Sequence, residues 1–341
     1  MTKILKLVLA VTMLLMAAGG CAEKAEKEEA SIGMAVEFMD HAACAYIIQD
    51  KGWFEEAGLQ LTAYESYATG MALASALARG DIEVAYVCLV PAINAYANAG
   101  VPLKVVAGTH KYGYGLVSNT DKVKTVHDLE KPGIRLGCVR EGGAVDVFLH
   151  KIIDAYDLDE GKVLANAQRM NPPKQVLAIK TGQLDAALLP EQWATMAEEM
   201  GFKMLVMSQD VWPDMQGSVL VVKEDLIEKS PASVRNLISV SQQATDWSNQ
   251  NPAEAAEVVA RQLQAAGSEV LPVEVADVSS SLAITPEVLL RSMRRLEYTT
   301  DIDPAMVQAT IDYIASLGYI KSRFNAEEIL DLRFLEDVRA Q

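Results

Sequence analysis

The chain alternates short apolar runs with longer segments in which apolar residues recur at helical spacing. Over its first third, the apolar runs predict strands at residues 32–36, 59–64, 82–87 and 103–107. The segments between them predict helices at residues 41–51, 71–79 and 91–99. Asp40 is positioned to cap the first helix, and Gly52 and Gly80 are positioned to end the first two. Helices between apolar strands are typical of crossover units and a parallel sheet.

The same scheme restarts in the middle of the chain. A capped turn at residues 125–129 precedes predicted strands at 134–139, 184–189 and 203–207, and predicted helices at 143–156, 173–181 and 191–200. The helix-to-strand junction at residues 79–86 has the same pattern as that at 181–188. This repetition indicates two similar α/β lobes, although any such junction could produce it.

The last third is helical. Predicted helices cover residues 234–247, 251–266 and 304–317, and another starts at 284–286. No strand-like run of comparable strength follows Val222.

The N-terminus has the pattern of an export signal. Lys3 and Lys6 precede an apolar run at residues 7–18, which is too short to span a bilayer but suits a signal core. The small residues before Cys21 resemble a bacterial lipobox, which implies cleavage after residue 20 and lipid on Cys21. Residues 21–30 would then form a lipidated tether. The alternative is an ordinary secretory signal with a chance cysteine.

Composition narrows the possible partners. The 341 residues are 50% hydrophobic, which suits a large core. Their net charge of −16 argues against nucleic acid and against an anionic membrane face as binding partners. Only four cysteines are present, too few for a disulfide scaffold. Cys44, Cys88 and Cys138 are expected to be small buried residues, with at least one free thiol.

Sequence motifs for catalysis are missing. The four histidines lack metal spacing, no Cys/His pattern suggests a metal site, and there is no P-loop or GxSxG elbow. We therefore expect no cofactor, no metal and no enzymatic activity.

Three segments near the N-terminus resemble a known family: KGWFEEAGL at 51–59, ARGDIEVA at 78–85 and VPLKVVA at 101–107. Later segments continue the resemblance, namely TVHDL at 125–129, NPAEAA at 251–256 and DYIASLGYI at 312–320. Their order is similar to that in the substrate-binding lipoproteins of ABC importers of the nitrate/sulfonate/taurine and thiamine-pyrimidine group.

The resemblance implies a periplasmic-binding-protein type II fold, with two hinged α/β lobes and the ligand between them. Lobe I would comprise residues 31–114 and 216–341, including the C-terminal helices, and lobe II residues 115–215. The implied protein is an exported, membrane-anchored monomer that delivers a small solute to an ABC permease and its ATPase.

Ligands of open α/β sheets bind beyond the carboxyl ends of the strands, and this rule nominates the cleft residues. In lobe I they are Glu37, Phe38, Asp40, His41, Tyr67, Thr69, Gly70, Cys88, Leu89, His110, Tyr112 and Tyr114. In lobe II and in the segment that leads from it back to lobe I, they are Arg140, Glu141, Gly142, Gly143, Glu191, Gln192, Trp193 and Asp214.

These residue types suggest a solute with both acceptor and donor groups. Helix starts at Gly70 and Gly143, together with Arg140, suit an anionic group. Four of the nominated residues are carboxylates, which would repel a bare oxyanion and favour an amine or an amino-heterocycle. They are Glu37, Asp40, Glu141 and Glu191. Tyrosines and Trp193 could line a wall or stack on a ring. An aminosulfonate or pyrimidine fits better than nitrate.

Two rival functions remain open. The first is an enzyme related to pyrimidine synthesis with the same fold, although the chain lacks that branch's CCCFC motif. The second is a sensory or adaptor lipoprotein without a transporter.

Overall fold

The structure is a computed structural model that describes residues 31–271 and 284–340. The predicted leader, the tether and Cys21 lie outside the described residues. The strands are β1 (Ser31–Glu37), β2 (Gln60–Tyr67), β3 (Val84–Cys88), β4 (Leu103–Lys111), β5 (Tyr114–Ser118), β6 (Leu136–Cys138), β7 (Ala167–Arg169), β8 (Ala186–Pro190), β9 (Lys203–Met207), β10 (Gln216–Lys223) and β11 (Glu297–Tyr298).

Helices lie between these strands and cover the C-terminal third. They are α1 (Ala43–Lys51), α2 (Trp53–Glu56), α3 (Gly70–Arg79), α4 (Leu89–Ala99), α5 (Ala144–Ala155), α6 (Glu160–Ala165), α7 (Pro172–Lys180), α8 (Glu191–Glu199), α9 (Ser208–Val211), α10 (Glu224–Lys229), α11 (Pro231–Gln250), α12 (Pro252–Val270), α13 (Pro286–Met293), α14 (Pro304–Ser316) and α15 (Arg333–Arg339). Short 3-10 turns cover Asp40–Ala42, Val126–Glu130 and Ala326–Glu328.

The strands form two sheets, each of which carries its own layer of helices. The first has the order β11-β4-β10-β3-β1-β2, and we call it and its helices lobe one. The second has the order β7-β6-β8-β5-β9 and forms lobe two. The predicted α/β class with two lobes is confirmed.

Both sheets contain the predicted parallel pairs, but each is mixed because it also contains antiparallel pairs. β1 pairs in parallel with β2 and β3, but β10 is antiparallel to both β3 and β4. In lobe two, β5 is antiparallel to β8 and β9, whereas β6 is parallel to its neighbours. β5 and β10 are the strands by which the chain enters lobe two and returns from it, so their direction depends on topology and not on local sequence.

Local sequence explains where several elements begin and end. Thr69 caps α3, because its side chain accepts the backbone N–H of Ala72 at 3.3 Å, and Gly80 ends that helix with φ of 88°. Asp40 does not cap a helix as expected. The cap position belongs to Met39, and the Asp40 side chain points into the interior.

Two crossover segments join the lobes. The first lies between β4 and β5 and contains Tyr112 and Gly113, with φ of 65° and 100°. The second precedes β10 and contains Asp214, with φ of 56°. The N–H of Tyr112 donates to the carbonyl of Met215 at 3.0 Å, so the two crossovers hydrogen-bond to each other. This arrangement suits a hinge.

The C-terminal helices pack mainly on lobe one. α11 and α12 contact α1, and α15 packs against α11. α13 is different, because it contacts α8 of lobe two and therefore bridges the lobes.

The lobes also contact each other through two further hydrogen bonds. The hydroxyl of Tyr319, which follows α14, donates to Asp146 Oδ2 of α5 at 2.5 Å. The amide of Asn94 on α4 donates to the carbonyl of Gly142 at 3.2 Å. The lobes are therefore joined by these hydrogen bonds and by α13 as well as by the crossovers.

Among the described residues, every helix is too short or too polar to cross a membrane.

Candidate functional site

A cavity of about 190 Å³ lies between the two lobes. Lobe one contributes one wall, from the end of β1 and the first turns of α3 and α4, and lobe two contributes the other, from the segment that follows β6 and the start of α5. The lining residues are Glu37, Met39, Ala68, Thr69, Gly70, Met71, Ala72, Ser75, Cys88, Pro91, Tyr114, Val139, Arg140, Gly143, Ala144, Val145, Pro172 and Pro190.

Glu37 is the carboxylate in the cavity wall. It ends β1, is only 1% exposed, and its Oε2 accepts the backbone N–H of Cys88 at 3.2 Å and its thiol at 2.9 Å. Burial raises the pKa of Glu37 to about 7, although the two bonds from Cys88 act in the opposite direction. The other oxygen, Oε1, lies against Gly70, where an added Cβ would overlap it.

Several helices begin at the cavity. Gly70 is the first residue of α3, Ala144 of α5 and Pro172 of α7, while Pro190 immediately precedes α8. The first N–H groups of a helix have no partner within the helix, and its dipole is positive at this end. The cavity is therefore surrounded by helix ends that favour a negative charge.

Arg140 supplies a full positive charge at the same place. It follows β6, lines the cavity and is exposed. Within the described part of the chain, its guanidinium has neither a hydrogen bond nor an ion pair. Its five N–H donors are thus available to a bound anion.

Behind Glu37 lies a buried cluster around Cys88. The hydroxyl of Tyr114 donates to Cys88 Sγ at 2.9 Å, and His41 Nδ1 lies 3.7 Å from the same sulfur. The other ring nitrogen of His41, Nε2, lies 2.8 Å from the carbonyl of Gly113. Burial lowers the pKa of His41 well below its usual value and raises that of Cys88 well above it.

Glu37, His41 and Cys88 are the group within the described residues whose ligand atoms could hold a metal ion. The three cysteines of the described chain, Cys44, Cys88 and Cys138, are free and buried, as expected. Only Cys88 lines the cavity.

Asp40 and Glu191 are buried outside the cavity lining. Asp40 accepts from the hydroxyl of Ser292, and burial raises its pKa to about 7. Glu191 accepts from Arg295 at 2.8 Å and from Thr195 at 3.1 Å. Burial raises the pKa of Glu191, and Arg295 partly offsets this effect. Each carboxylate thus has a partner within the protein, while Asp40 Oδ1 is buried without one.

The remaining predicted residues do not line the cavity either. Gln192 accepts the N–H of Asp40 at 3.0 Å, and Trp193 packs against Phe38. Tyr67 donates to Glu65. Of the other predicted residues outside the lining, Leu89, His110 and Gly142 are buried, whereas Tyr112, Glu141 and Asp214 are half-buried or exposed.

The prediction omitted several lining residues, including Met71, Ala72, Ser75, Val139 and Val145. Most of them lie in the first turns of helices, one step beyond the loops that the strand-end rule nominates. The helix starts at Gly70 and Gly143 would have pointed to them.

Comparison with known proteins places this geometry in context. A protein of Brucella abortus (strain 2308), named only as a candidate binding protein, is 26% identical over 227 residues, which are 64% of this chain and 66% of that protein. The chain thus spans about two thirds of the length of the Brucella relatives that it matches.

Solved structures share the fold at low sequence identity. The nitrate-binding protein NrtA of Synechocystis PCC 6803 is 14% identical with a TM-score of 0.74, covering 92% of this chain and 89% of NrtA. The alkanesulfonate-binding protein SsuA of Xanthomonas axonopodis pv. citri, bound to MOPS, is 15% identical with a TM-score of 0.71. The alignment covers 89% of this chain and 98% of SsuA. A ligand-binding component of an ABC-type import system from Staphylococcus aureus, with zinc bound, is 15% identical with a TM-score of 0.72. The alignment covers 90% of this chain and 98% of that protein.

The sequence itself matches a family description over residues 23–263, which is more than half of the chain. The match confirms the resemblance that the sequence motifs indicated. The chain belongs to the NMT1-like family.

Proposed function

We propose that the protein is the solute-binding component of an ABC importer and that it captures a small polar organic solute between its lobes. The observation that carries this proposal is the cavity between the lobes, where the unpaired Arg140 and several helix N-termini accompany the buried carboxylate of Glu37. Family membership and the fold shared with import-system binding proteins support it.

The two kinds of polar group define the solute. An anionic group would bind Arg140 and the first N–H groups of α3 and α5. An N–H group of the solute would donate to the carboxylate of Glu37, which lines the cavity. Plain nitrate has no donor for Glu37, so we favour an aminosulfonate or a pyrimidine-like molecule.

Cavity size agrees with a small solute. About 190 Å³ is below the roughly 300–1,000 Å³ of pockets for drug-sized ligands. Much of the lining is aliphatic, from Met39, Met71, Val139 and Val145, which would exclude water around the polar contacts.

The division of the chain and its location complete the proposal. Residues 31–114 and 216–341 form lobe I, and residues 115–215 form lobe II, with hinges at the two crossovers. The protein is exported, held at the membrane by lipid on Cys21 and active as a monomer. It delivers its solute to a permease and an ATPase.

A thermal-shift screen tests the proposal. Sulfonates, pyrimidines, nitrate and aromatic acids are each added to the full chain, and a bound solute raises the midpoint of unfolding by mass action. We expect one class to stabilise the protein and Arg140→Ala to abolish that shift. The matched control is Arg323→Ala, because this exposed arginine lies outside the cavity. The absence of any stabiliser across these classes contradicts the proposal.

A further inference from the structure

Three donor side chains meet at one point of the cavity wall. Glu37 ends β1, His41 lies in the 3-10 turn that follows, and Cys88 joins β3 to α4. Because β1 and β3 are neighbours in the sheet, their carboxyl ends bring these residues together. The three ligand atoms lie within 4.8 Å of one another.

The separations suit a four-coordinate metal. With metal–ligand bonds of about 2.0–2.3 Å and tetrahedral angles, sulfur and nitrogen ligands lie about 3.6 Å apart. Cys88 Sγ and His41 Nδ1 are 3.7 Å apart. Sγ and Glu37 Oε2 are closer, at 2.9 Å, because they share a hydrogen bond, and metal binding would require the carboxylate oxygen to move away from the sulfur.

The orientation of His41 is independent evidence. Nε2 faces the carbonyl of Gly113 at 2.8 Å, and a carbonyl can only accept, so Nε2 carries the proton. Nδ1 is then left with its lone pair on the side of Cys88 Sγ. Metal-binding histidines are typically held in this way, with the second ring nitrogen donating to a carbonyl or carboxylate.

The surroundings of Cys88 fit a thiolate ligand. The hydroxyls of Tyr114 and Ser218 lie 2.9 Å and 3.4 Å from Sγ and donate to it. One carboxylate and one thiolate supply two negative charges, which a divalent cation neutralises inside a buried site. A mixed O, N and S donor set favours a cation of the zinc class over magnesium or calcium.

We propose that Glu37, His41 and Cys88 bind a divalent cation of the zinc class, with one coordination position open to the cavity. Glu37, Cys88 and Tyr114 line the cavity, whereas His41 lies behind them, so the open position faces the bound solute. The role of the cation in solute binding rests on the proposed function. In that role, the cation binds a donor atom of the solute directly, and Arg140 binds the anionic end of the solute.

Metal titration without any solute tests the inference. The full chain is stripped with a chelator, which is then removed, and is titrated with Zn²⁺ by calorimetry and with Co²⁺ by absorption. We expect one equivalent to bind and a thiolate-to-cobalt charge-transfer band to appear. Cys88→Ser should remove the band. Cys21→Ser, Cys44→Ser and Cys138→Ser are matched controls that should retain it.

Tyr114→Phe gives a second test that does not remove a ligand. Loss of the hydroxyl that donates to Sγ should weaken zinc binding by about 10–100-fold, as is usual when a group that hydrogen-bonds to a metal ligand is removed. Circular dichroism of each variant checks that it is folded. If the wild-type chain binds no stoichiometric metal, or if the cobalt band persists in Cys88→Ser, the inference is overturned.

Failure of the metal site can be distinguished from failure of the proposed solute-binding function. The thermal-shift screen is repeated with chelator present throughout. Solute stabilisation without stoichiometric metal binding overturns the metal site and leaves the solute-binding function intact. Metal binding without any stabilising solute supports the site and counts against solute capture.

Discussion

The carboxylate of Glu37 occupies the space where a side chain on residue 70 would have to lie. Gly70 has no Cβ, and an ideal one would overlap Glu37 Oε1 and lie 2.7 Å from Pro91 Cγ. The first turn of α3 can therefore approach the end of β1 closely. This approach brings the free N–H groups of the helix and the buried carboxylate to the same cavity.

Gly70→Ala should accordingly disturb the site while leaving the helix intact. Residue 70 starts α3, where alanine suits the backbone, so the effect comes from overlap with Glu37. We expect a loss of about 1–3 kcal/mol in the free energy of unfolding, as in other overpacked sites, and at least about tenfold weaker solute binding. Urea unfolding and calorimetry measure the two effects.

Gly161→Ala is the matched control for this change. Gly161 lies within α6, and an added Cβ meets only Asp159 Oδ1 at 3.4 Å, an ordinary contact. Alanine there should leave solute affinity unchanged and stabilise the helix by up to about 1 kcal/mol. Equal behaviour of the two variants would contradict the steric role of Gly70.

Arg295→Met should destabilise the protein in a pH-dependent way. Arg295 pairs with the buried Glu191, and removing one partner of a buried pair typically costs about 3–5 kcal/mol. Burial already raises the pKa of Glu191, and loss of the cation raises it further. The folded protein then holds a proton that the unfolded chain has lost, so stability falls as pH rises from the ordinary value near 4.5 through the raised one.

Unfolding curves at pH 5 and pH 8 check this sign. The variant should lose more stability at pH 8 than at pH 5, because the raised pKa of Glu191 makes the folded variant less stable as pH rises. Arg235→Met is the control, because its pair with Asp337 is exposed and contributes at most about 1 kcal/mol at either pH. A larger loss at pH 5 would show that Glu191 is not held as a charged partner of Arg295.

Tyr319→Phe should weaken closure of the lobes. The Tyr319 hydroxyl donates to Asp146 across the cleft at 2.5 Å, and a hydrogen bond to a charged group contributes about 1.5–3 kcal/mol. If the closed form binds the solute, affinity should fall by roughly 10–100-fold. Tyr156→Phe is a matched control, since Tyr156 is exposed on lobe two. Unchanged affinity in Tyr319→Phe would exclude this contact from closure.

Cys21→Ser should release the protein from the membrane. The small residues before Cys21 predict lipid on its thiol and amine. Intact mass of the membrane-extracted wild-type chain should show cleavage after residue 20 and added acyl groups, and the variant should appear in the soluble fraction. An unmodified Cys21 would instead support an ordinary secretory signal.

Much of the fold could be predicted because its determinants are local. Thr69 and Gly80 mark the ends of α3 in the sequence as they do in the structure. The antiparallel direction of β5 and β10 could not be read in the same way, because it depends on how the chain passes between the lobes.

The site shows the same limit. Arg140 and Gly70 are predictable because helix starts and strand ends are visible in sequence, and both line the cavity. Asp40 and Glu191 follow the same strand-end rule, yet their partners, Ser292 and Arg295, are 252 and 104 residues away. The Glu191 pair depends on the packing of α13 against α8, and the Asp40 pair on the packing of α13 against the 3-10 turn Asp40–Ala42; no local pattern reveals either.

The most direct test of the central claim is calorimetric titration of the stabilising solute into the wild-type chain, Arg140→Ala and Arg323→Ala. Solute capture between the lobes predicts binding at one site per chain for the wild type and for Arg323→Ala, and at least about tenfold weaker binding for Arg140→Ala. Equal affinity in all three chains would place the solute outside this cavity and contradict the account.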